Sequence, residues 1–141
     1  MGDSDNVAAV RRYVDAFNRL DLDAATAGLD PAIELREWPE APGAQTYHGV
    51  EGVRRAFDTW FETWEWMKLE IEDIHPVGNR VLFTLHQRAK GRTSAVEVEI
   101  RTYNVYTFRD GLVTLVELFT ERETALAAAG LTEEQIRQEA T

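Results

Sequence analysis

The chain has 141 residues, of which 44% are hydrophobic and 28% are charged, and it contains no cysteine. This length predicts one domain over residues 1–141, and the lack of cysteine excludes disulfides, thiolate nucleophiles and thiolate metal sites. The net charge of -10 argues against nucleic acid and membrane surfaces as partners, because both are bound through clustered lysine and arginine. Since no apolar run approaches the roughly 20 residues that span a bilayer, and the first residues are polar and acidic, we expect a cytoplasmic protein.

Three helices are predicted in the first half of the chain from the helical spacing of its apolar residues. Ser4 or Asp5 can cap the first helix, and Asp21 can cap a short second helix that runs to about Gly28. The apolar stripes of the first and third helices consist of Val7, Val10, Val14 and Phe17 and of Val53, Phe57, Trp60 and Trp64.

Strands are predicted at residues 33–38, 68–75 and 80–90, and the strongest strand signal follows at residues 94–121. Two alternating runs are joined there by Asp110-Gly111, a sequence typical of tight hairpin turns. One face of the first run carries Val96, Val98, Ile100, Thr102, Asn104, Tyr106 and Phe108. The amide of Asn104 on this mostly apolar face either forms a local hydrogen bond in the core or faces a ligand cavity.

The last part of the chain carries clear helix signals. A helix is predicted from Arg122 to Ala129, because Gly130 is typical of the position after a helix end. Thr132 and Gln135 then form a candidate capping box for another helical segment. The whole order, with helices first and a mostly antiparallel sheet after them, predicts an α+β fold with the helices on one face of the sheet.

Four segments carry a resemblance to a known superfamily. Residues 9–14, 47–53 and 105–111 resemble the nuclear-transport-factor-two-like proteins, which include ketosteroid isomerase, limonene epoxide hydrolase and the SnoaL-like polyketide cyclases. Residues 125–131 are similar to the SnoaL-like group in particular. The resemblance implies a cone-shaped α+β roll, in which a curved, mostly antiparallel sheet wraps around N-terminal helices to leave an apolar pocket. It also implies frequent dimers.

Two polar residues are the first site candidates that the resemblance suggests. Tyr13 lies near the helix-one tyrosine with which ketosteroid isomerase donates to an enolate oxygen. Asn104 stands where the isomerases and cyclases are expected to carry an aspartate, and an amide can donate and accept but cannot transfer a proton. The structural alternatives are a core tyrosine with a locally satisfied hydroxyl and a core amide bonded to backbone. If both side chains act on one oxygen, they must point into one shared cavity.

Two carboxylates and a histidine are candidates for proton transfer. Glu37 lies close to the general-base aspartate of the isomerase, although Arg36 competes for that position, and Trp38 could wall it in. Glu117 is similar to a carboxylate in the last strand of the epoxide hydrolase, but residues 83–86 lack that enzyme's arginine and aspartate pair. His86 lies loosely near a cyclase histidine. The alternatives are an inert strand-end Glu37, a structural His86, and a Glu117 in an ion pair with His86 or Arg101.

Aromatic residues are the expected pocket wall, because flat apolar ligands pack well against them. The wall candidates are Trp38, Trp60, Trp64, Tyr106 and Phe119. Plain core packing is the alternative for Trp60 and Trp64. The three histidines show no metal-ligand spacing, so we predict no metal and no cofactor.

Two functions remain open from the sequence. The first is a cofactor-independent isomerase, cyclase or hydrolase that acts on a small apolar molecule by proton transfer. The second is a non-catalytic module for small-molecule binding or dimerisation. We also predict a homodimer through the outward face of the hairpin strand, because alternating charges can pair across a two-fold axis. That face carries Glu97, Glu99, Arg101 and Tyr103.

Overall fold

The computed structural model describes residues 3–37 and 43–139. Its helices are α1 (Asp3–Asn18), α2 (Leu22–Thr26), α3 (Gly49–Thr63), α4 (Arg122–Ala129) and α5 (Glu133–Glu139). Its strands are β1 (Leu29–Arg36), β2 (Thr46–His48), β3 (Trp64–Val77), β4 (Arg80–Gly91), β5 (Glu97–Arg109) and β6 (Leu112–Phe119). No helix within these residues combines the length and the apolar character that crossing a membrane requires.

The strands form one curved, open sheet in the order β2-β1-β6-β5-β4-β3. Neighbouring strands are antiparallel except β1 and β6, which run parallel. The predicted α+β fold is therefore confirmed. Each of the long strands β3, β4 and β5 pairs with the next along the chain, because short turns join antiparallel neighbours.

The β5–β6 hairpin has the turn that its sequence predicted. Asp110 and Gly111 both have positive φ, 52° and 80°, which is the requirement of a two-residue type I′ turn. The pairing of β5 with β4 begins at Glu97, whereas its pairing with β6 begins only at Tyr103. The first six residues of β5 therefore extend beyond the end of β6.

The sheet is covered on both faces. The inner face, defined by Val81, Phe83 and Phe108, packs against α1 and α3 in the larger core. The outer face, defined by Leu82, Val105 and Phe119, packs against α4 and α5 in a second core. This arrangement corrects the expectation of helices on one face only. β4 and β5 carry apolar side chains on both faces where the second core forms. The C-terminal helices therefore pack on the outer face and bury these side chains.

Helix ends in the second half agree with their local chemistry. Gly130 ends α4 in the left-handed conformation with φ 76°, and the side chain of Gln135 accepts from the N–H of Thr132 at 2.8 Å. The hydroxyl of Thr132 accepts from the N–H of Gln135 at 3.2 Å, which completes the predicted capping box. Both predictions are confirmed.

Helix ends in the first half agree less well. Asp21 caps α2, since its Oδ1 accepts from the N–H of Ala24 at 3.1 Å. Ser4 and Asp5 lie inside α1, which already includes Asp3, so neither is its N-cap. Trp64 is the first residue of β3 rather than the last of the α3 stripe, because its backbone is extended and pairs with Gly91.

Candidate functional site

A cavity of about 460 Å³ lies between the inner face of the sheet and helices α1 and α3. Such a volume is typical of small-molecule pockets. The lining side chains come from two helices and five strands, and they are mostly aliphatic or aromatic: Tyr13, Phe17, Leu35, Trp60, Trp64, Met67, Leu69, Leu85, Gln87, Ala89, Val98, Glu99, Ile100, Asn104, Tyr106, Val116 and Leu118. Among them only Glu99 is charged, so the cavity suits a neutral molecule.

Tyr13 and Tyr106 form a pair of phenols in this cavity. Their rings meet edge to face with centroids 5.4 Å apart, and the two side chains share a hydrogen bond. Burial raises the pKa of Tyr13 to about 12, against a smaller lowering by the hydrogen bond. Burial also raises the pKa of Tyr106 well above its ordinary value, and the interaction with Tyr13 adds to this. The cavity therefore holds two buried phenols that interact with each other and stay protonated at neutral pH.

A second polar group of the cavity lies on the neighbouring strands. Asn104, which is 2% exposed, donates from Nδ2 to Thr102 Oγ1 at 3.3 Å. Gln87 Nε2 donates to the same hydroxyl at 2.7 Å. The amide of Asn104 thus lines the cavity and also forms a local hydrogen bond, which goes to a side-chain hydroxyl rather than to the backbone. Tyr13 and Asn104 line one cavity, as a shared role on one oxygen requires.

Gln87 and Thr102 are site residues that the sequence reasoning missed. The signal for Gln87 was present, since it shares strand parity with Leu85 and Ala89 on an apolar face. Thr102 is fully buried and stands on the same face as Asn104. A polar residue on an apolar strand face is therefore the pattern that both share with Asn104.

Glu117 lies on the outer face of the sheet, opposite the cavity. It pairs in register with Val105, whereas its neighbours Val116 and Leu118 line the cavity. Its Oε2 lies 3.8 Å from Nη1 of Arg36, so its ion-pair partner is neither His86 nor Arg101. The predicted role of Glu117 in proton transfer to a ligand in this cavity is corrected, because the sheet separates the two.

Phe119 and His86 are placed on the outer face as well. Phe119 packs against Leu126 in the second core rather than in the pocket wall. His86 bonds to the carboxylate of Glu99 and borders a separate outer-face depression. These two candidates are also corrected. Parity along β6 was ambiguous, since Leu115 and Phe119 on one face and Val116 and Leu118 on the other are all apolar.

Two of the three charged residues expected at a dimer interface, Glu99 and Arg101, have partners within the chain. Arg101 Nε donates to Glu72 at 2.6 Å, and Glu99 bonds to His86. Because of the salt bridge, the pKa of Glu72 is lowered and that of Arg101 raised. These side chains therefore already have ion-pair partners within one chain. The homodimer stays a prediction.

Glu37 lies directly behind the cavity wall. Its Oε2 accepts from the indole Nε1 of Trp60 at 3.2 Å, and its Oε1 accepts from the N–H of Gln45 at the same distance. Trp60 itself lines the cavity, as does Trp64. The indole of Trp60 therefore lies between Glu37 and the cavity, and Glu37 contacts it through one hydrogen bond. Trp38, the neighbour expected to wall it in, lies outside the described residues.

The described part of the chain contains no group of three or more histidine and carboxylate side chains arranged to hold a metal ion. The polar side chains of the lining are hydroxyls, amides, tryptophan indoles and the carboxylate of Glu99, which bonds to His86. Chemically, the arrangement can donate hydrogen bonds to an oxygen of a neutral ligand and exclude water around it.

Comparison with solved structures finds the same architecture. A nuclear-transport-factor-two-like protein from Burkholderia thailandensis is 26% identical with a TM-score of 0.75, and the match covers 90% of this chain and 98% of that one. TerC, crystallised with polyporic acid, is 19% identical with a TM-score of 0.76, covering 89% and 97%. A SnoaL-like polyketide cyclase candidate from Jannaschia sp. is 17% identical with a TM-score of 0.75, covering 92% and 94%.

Comparison with curated protein sequences found no match. The sequence model of the SnoaL-like domain, in contrast, matches residues 10–116, which is well over half of the chain and includes both tyrosines of the cavity. The open sheet, the N-terminal helices on its inner face and this match agree with the resemblance that the sequence suggested. The chain belongs to the SnoaL-like domain family.

Proposed function

We propose that the chain binds a small, neutral, oxygen-bearing apolar molecule in this cavity and acts on it as a cofactor-independent isomerase or cyclase. The observation that carries the proposal is the Tyr13–Tyr106 pair in an otherwise apolar cavity. Two phenols whose pKa values burial keeps high remain protonated at neutral pH and serve as hydrogen-bond donors.

The pair would stabilise negative charge that develops on a ligand oxygen. In this proposal Tyr106 donates its hydroxyl proton to Tyr13, so that the proton of Tyr13 is available to the ligand. A chain of hydrogen bonds polarises each member, so Tyr13 becomes a stronger donor than a lone phenol. Asn104 lies two residues from Tyr106 on the same strand face and can donate a second hydrogen bond. Such preorganised donors stabilise an oxyanion without reorganisation.

Proton transfer is assigned to Glu37 in this proposal. Of the three candidates for proton transfer, Glu37 accepts a hydrogen bond from Trp60 of the cavity wall, whereas Glu117 and His86 lie across the sheet. A turn of the Trp60 indole away from Glu37 would bring the carboxylate into contact with a ligand. The fold shared with a polyketide cyclase candidate and with TerC, crystallised with polyporic acid, supports an organic small molecule as the ligand.

A non-catalytic binding protein is the second candidate. It is favoured by Asn104, which stands where an acid was expected and cannot transfer a proton. It is also favoured by the lining, whose only charged side chain, Glu99, is on an exposed part of β5 and bonds to His86. The two functions share the ligand and differ in whether a proton is moved.

The exchange of an activated ketone's α-hydrogens for deuterium separates these functions. The probe is 2-tetralone in deuterated buffer, with exchange followed by NMR and binding by the fluorescence of Trp60 and Trp64. The enzyme function predicts exchange above the buffer rate and a loss of about 10²–10³-fold in Tyr13→Phe. Tyr103→Phe, which removes a hydroxyl on the outer face, is the matched control and keeps the full rate. Binding without exchange would favour the second candidate, and absence of binding would overturn both.

A further inference from the structure

The first half of β5 keeps an apolar face where the described residues leave it open to solvent. Val98 and Ile100 of β5 are 41% and 45% exposed, and Val96, which directly precedes β5, is 56% exposed; we call these three residues the β5 strip. The residues between and after them, Glu97, Glu99 and Arg101, alternate onto the other face. A solvated strand end normally carries polar residues on both faces, so three exposed β-branched aliphatic residues in one row indicate an apolar occupant.

The strip is continuous with the cavity. Val98 and Ile100 line it, and Thr102, Asn104 and Tyr106 follow along the same strand face. Successive positions on one face are about 7 Å apart. From the start of β5 toward its middle, the side chains of this face thus change from exposed and aliphatic to buried hydroxyl and amide groups. A ligand that satisfies both parts carries its polar group at the inner end and its apolar part toward the strip.

We infer that the ligand is longer than the cavity and belongs to a class of neutral carbonyl compounds with an extended apolar tail. The oxygen-bearing head lies between Tyr13 and Asn104, and the tail leaves along the β5 strip. This inference rests on the proposed function, because that function places the ligand oxygen at Tyr13. It adds the direction of the ligand and the length of its apolar part.

A second copy of the chain is the competing occupant. A stable interface buries about 800 Å² per partner, and three side chains in a single row, each about half exposed, offer far less. Two of the neighbouring charged groups, Glu99 and Arg101, already form ion pairs within the chain. The continuity of the strip with the cavity therefore favours the ligand's own tail.

A series of n-alkyl phenyl ketones, from acetophenone to decanophenone, tests the inference. Binding is measured by quenching of Trp60 and Trp64, which both line the cavity. Full burial of a methylene gives about fourfold in affinity, the equivalent of about 0.8 kcal/mol. Along the half-exposed strip we expect about twofold per methylene. The variants are Val98→Thr and Ile100→Thr, which keep β-branching, and Leu20→Asn, which removes another exposed aliphatic side chain away from the cavity, is the control.

The inference predicts that affinity continues to rise for the longest ketones in the wild type and in Leu20→Asn. In both strip variants it should stop rising at a shorter chain length, and the loss of affinity should be much larger for decanophenone than for acetophenone. If all ketones bind and the affinity reaches the same plateau in every variant, the tail inference is wrong and the proposed function stands. If acetophenone does not bind at all, the proposed function itself fails. A strip variant that lowers the mass measured by light scattering would instead identify a second copy as the occupant and overturn the inference.

Discussion

Tyr13 of α1 and Tyr106 of β5 meet edge to face, with ring centroids 5.4 Å apart and a hydrogen bond between their side chains. Tyr106 also meets Phe83 of β4 at 4.9 Å in a similar geometry. Tyr13, which we propose as the oxyanion donor, thus packs against Tyr106, and Tyr106 packs against Phe83 of the sheet. A donor whose own position is fixed in this way loses little entropy when a ligand binds.

Replacement of Tyr106 by phenylalanine should weaken Tyr13 as a donor. The hydrogen bond with Tyr106 lowers the pKa of Tyr13, so its loss raises that pKa further. We expect the affinity for a carbonyl ligand to fall by about 2- to 10-fold, the equivalent of one hydrogen bond. Ultraviolet titration of the phenolate band reports the pKa, and fluorescence reports binding. If the phenolate transitions of the remaining tyrosines are unchanged once the loss of Tyr106 itself is allowed for, the two phenols are not coupled.

Stability should fall steeply at alkaline pH because of the same pair. Burial raises the folded-state pKa of both tyrosines above the ordinary value of 10. Their contribution to the free energy of unfolding is therefore fully present below pH 10. It is lost as the pH rises through the folded-state values, at about 1.4 kcal/mol per pH unit for each tyrosine.

Urea unfolding at a series of pH values measures this slope. Tyr13→Phe should be less stable at neutral pH, since it loses a hydrogen bond, and should show a shallower alkaline decline. Tyr103→Phe on the outer face serves as the comparison and should keep the wild-type slope. Equal slopes in all three proteins would contradict the assignment of the alkaline transition to the pair.

Two carboxylate variants should differ in activity because they lie on opposite faces of the sheet. Glu37 bonds to Trp60 of the cavity wall, whereas Glu117 faces Arg36 outside it. In the deuterium-exchange reaction, Glu37→Gln should lose about 10²–10⁴-fold in rate, and Glu117→Gln should retain the wild-type rate. A loss in Glu117→Gln with normal folding would mean that the outer face takes part in the reaction.

Two glycine-to-alanine variants measure the cost of backbone strain at sites where the new methyl group meets no neighbouring atom. Neither Gly130 nor Gly28 has an atom within 4 Å of where a Cβ would lie, but only Gly130 has a positive φ, 76°. Gly130→Ala should therefore cost about 1 kcal/mol of unfolding free energy. Gly28→Ala should be neutral or slightly stabilising, because alanine restricts the unfolded chain. Denaturant midpoints check both values, and equal midpoints would contradict the strain argument.

Features that depend on a few neighbouring residues could be predicted from the sequence. The turn at Asp110-Gly111, the end of α4 at Gly130 and the capping of α2 by Asp21 all appear where expected. Each is determined by backbone conformation or by a hydrogen bond across three residues or fewer, so the sequence contains its cause. Alternation along β5 likewise placed Asn104 on the same face as Tyr106.

Features that depend on distant residues required the tertiary structure. Both faces of β6 are apolar, so alternation could not show that Val116 lines the cavity while Glu117 faces Arg36. The placement of α4 and α5 on the outer face decided which strand residues are covered.

The α+β class, the local turns and caps, and the candidate residues Tyr13 and Asn104 could thus be inferred from the amino-acid sequence. The contact of Tyr106 with Tyr13, the hydrogen bond of Glu37 with Trp60, and the positions of His86 and Glu117 away from the cavity became visible in the folded protein. The physical reason is that local propensities are set by adjacent residues, whereas a cavity forms from side chains that long-range strand register and helix packing bring together.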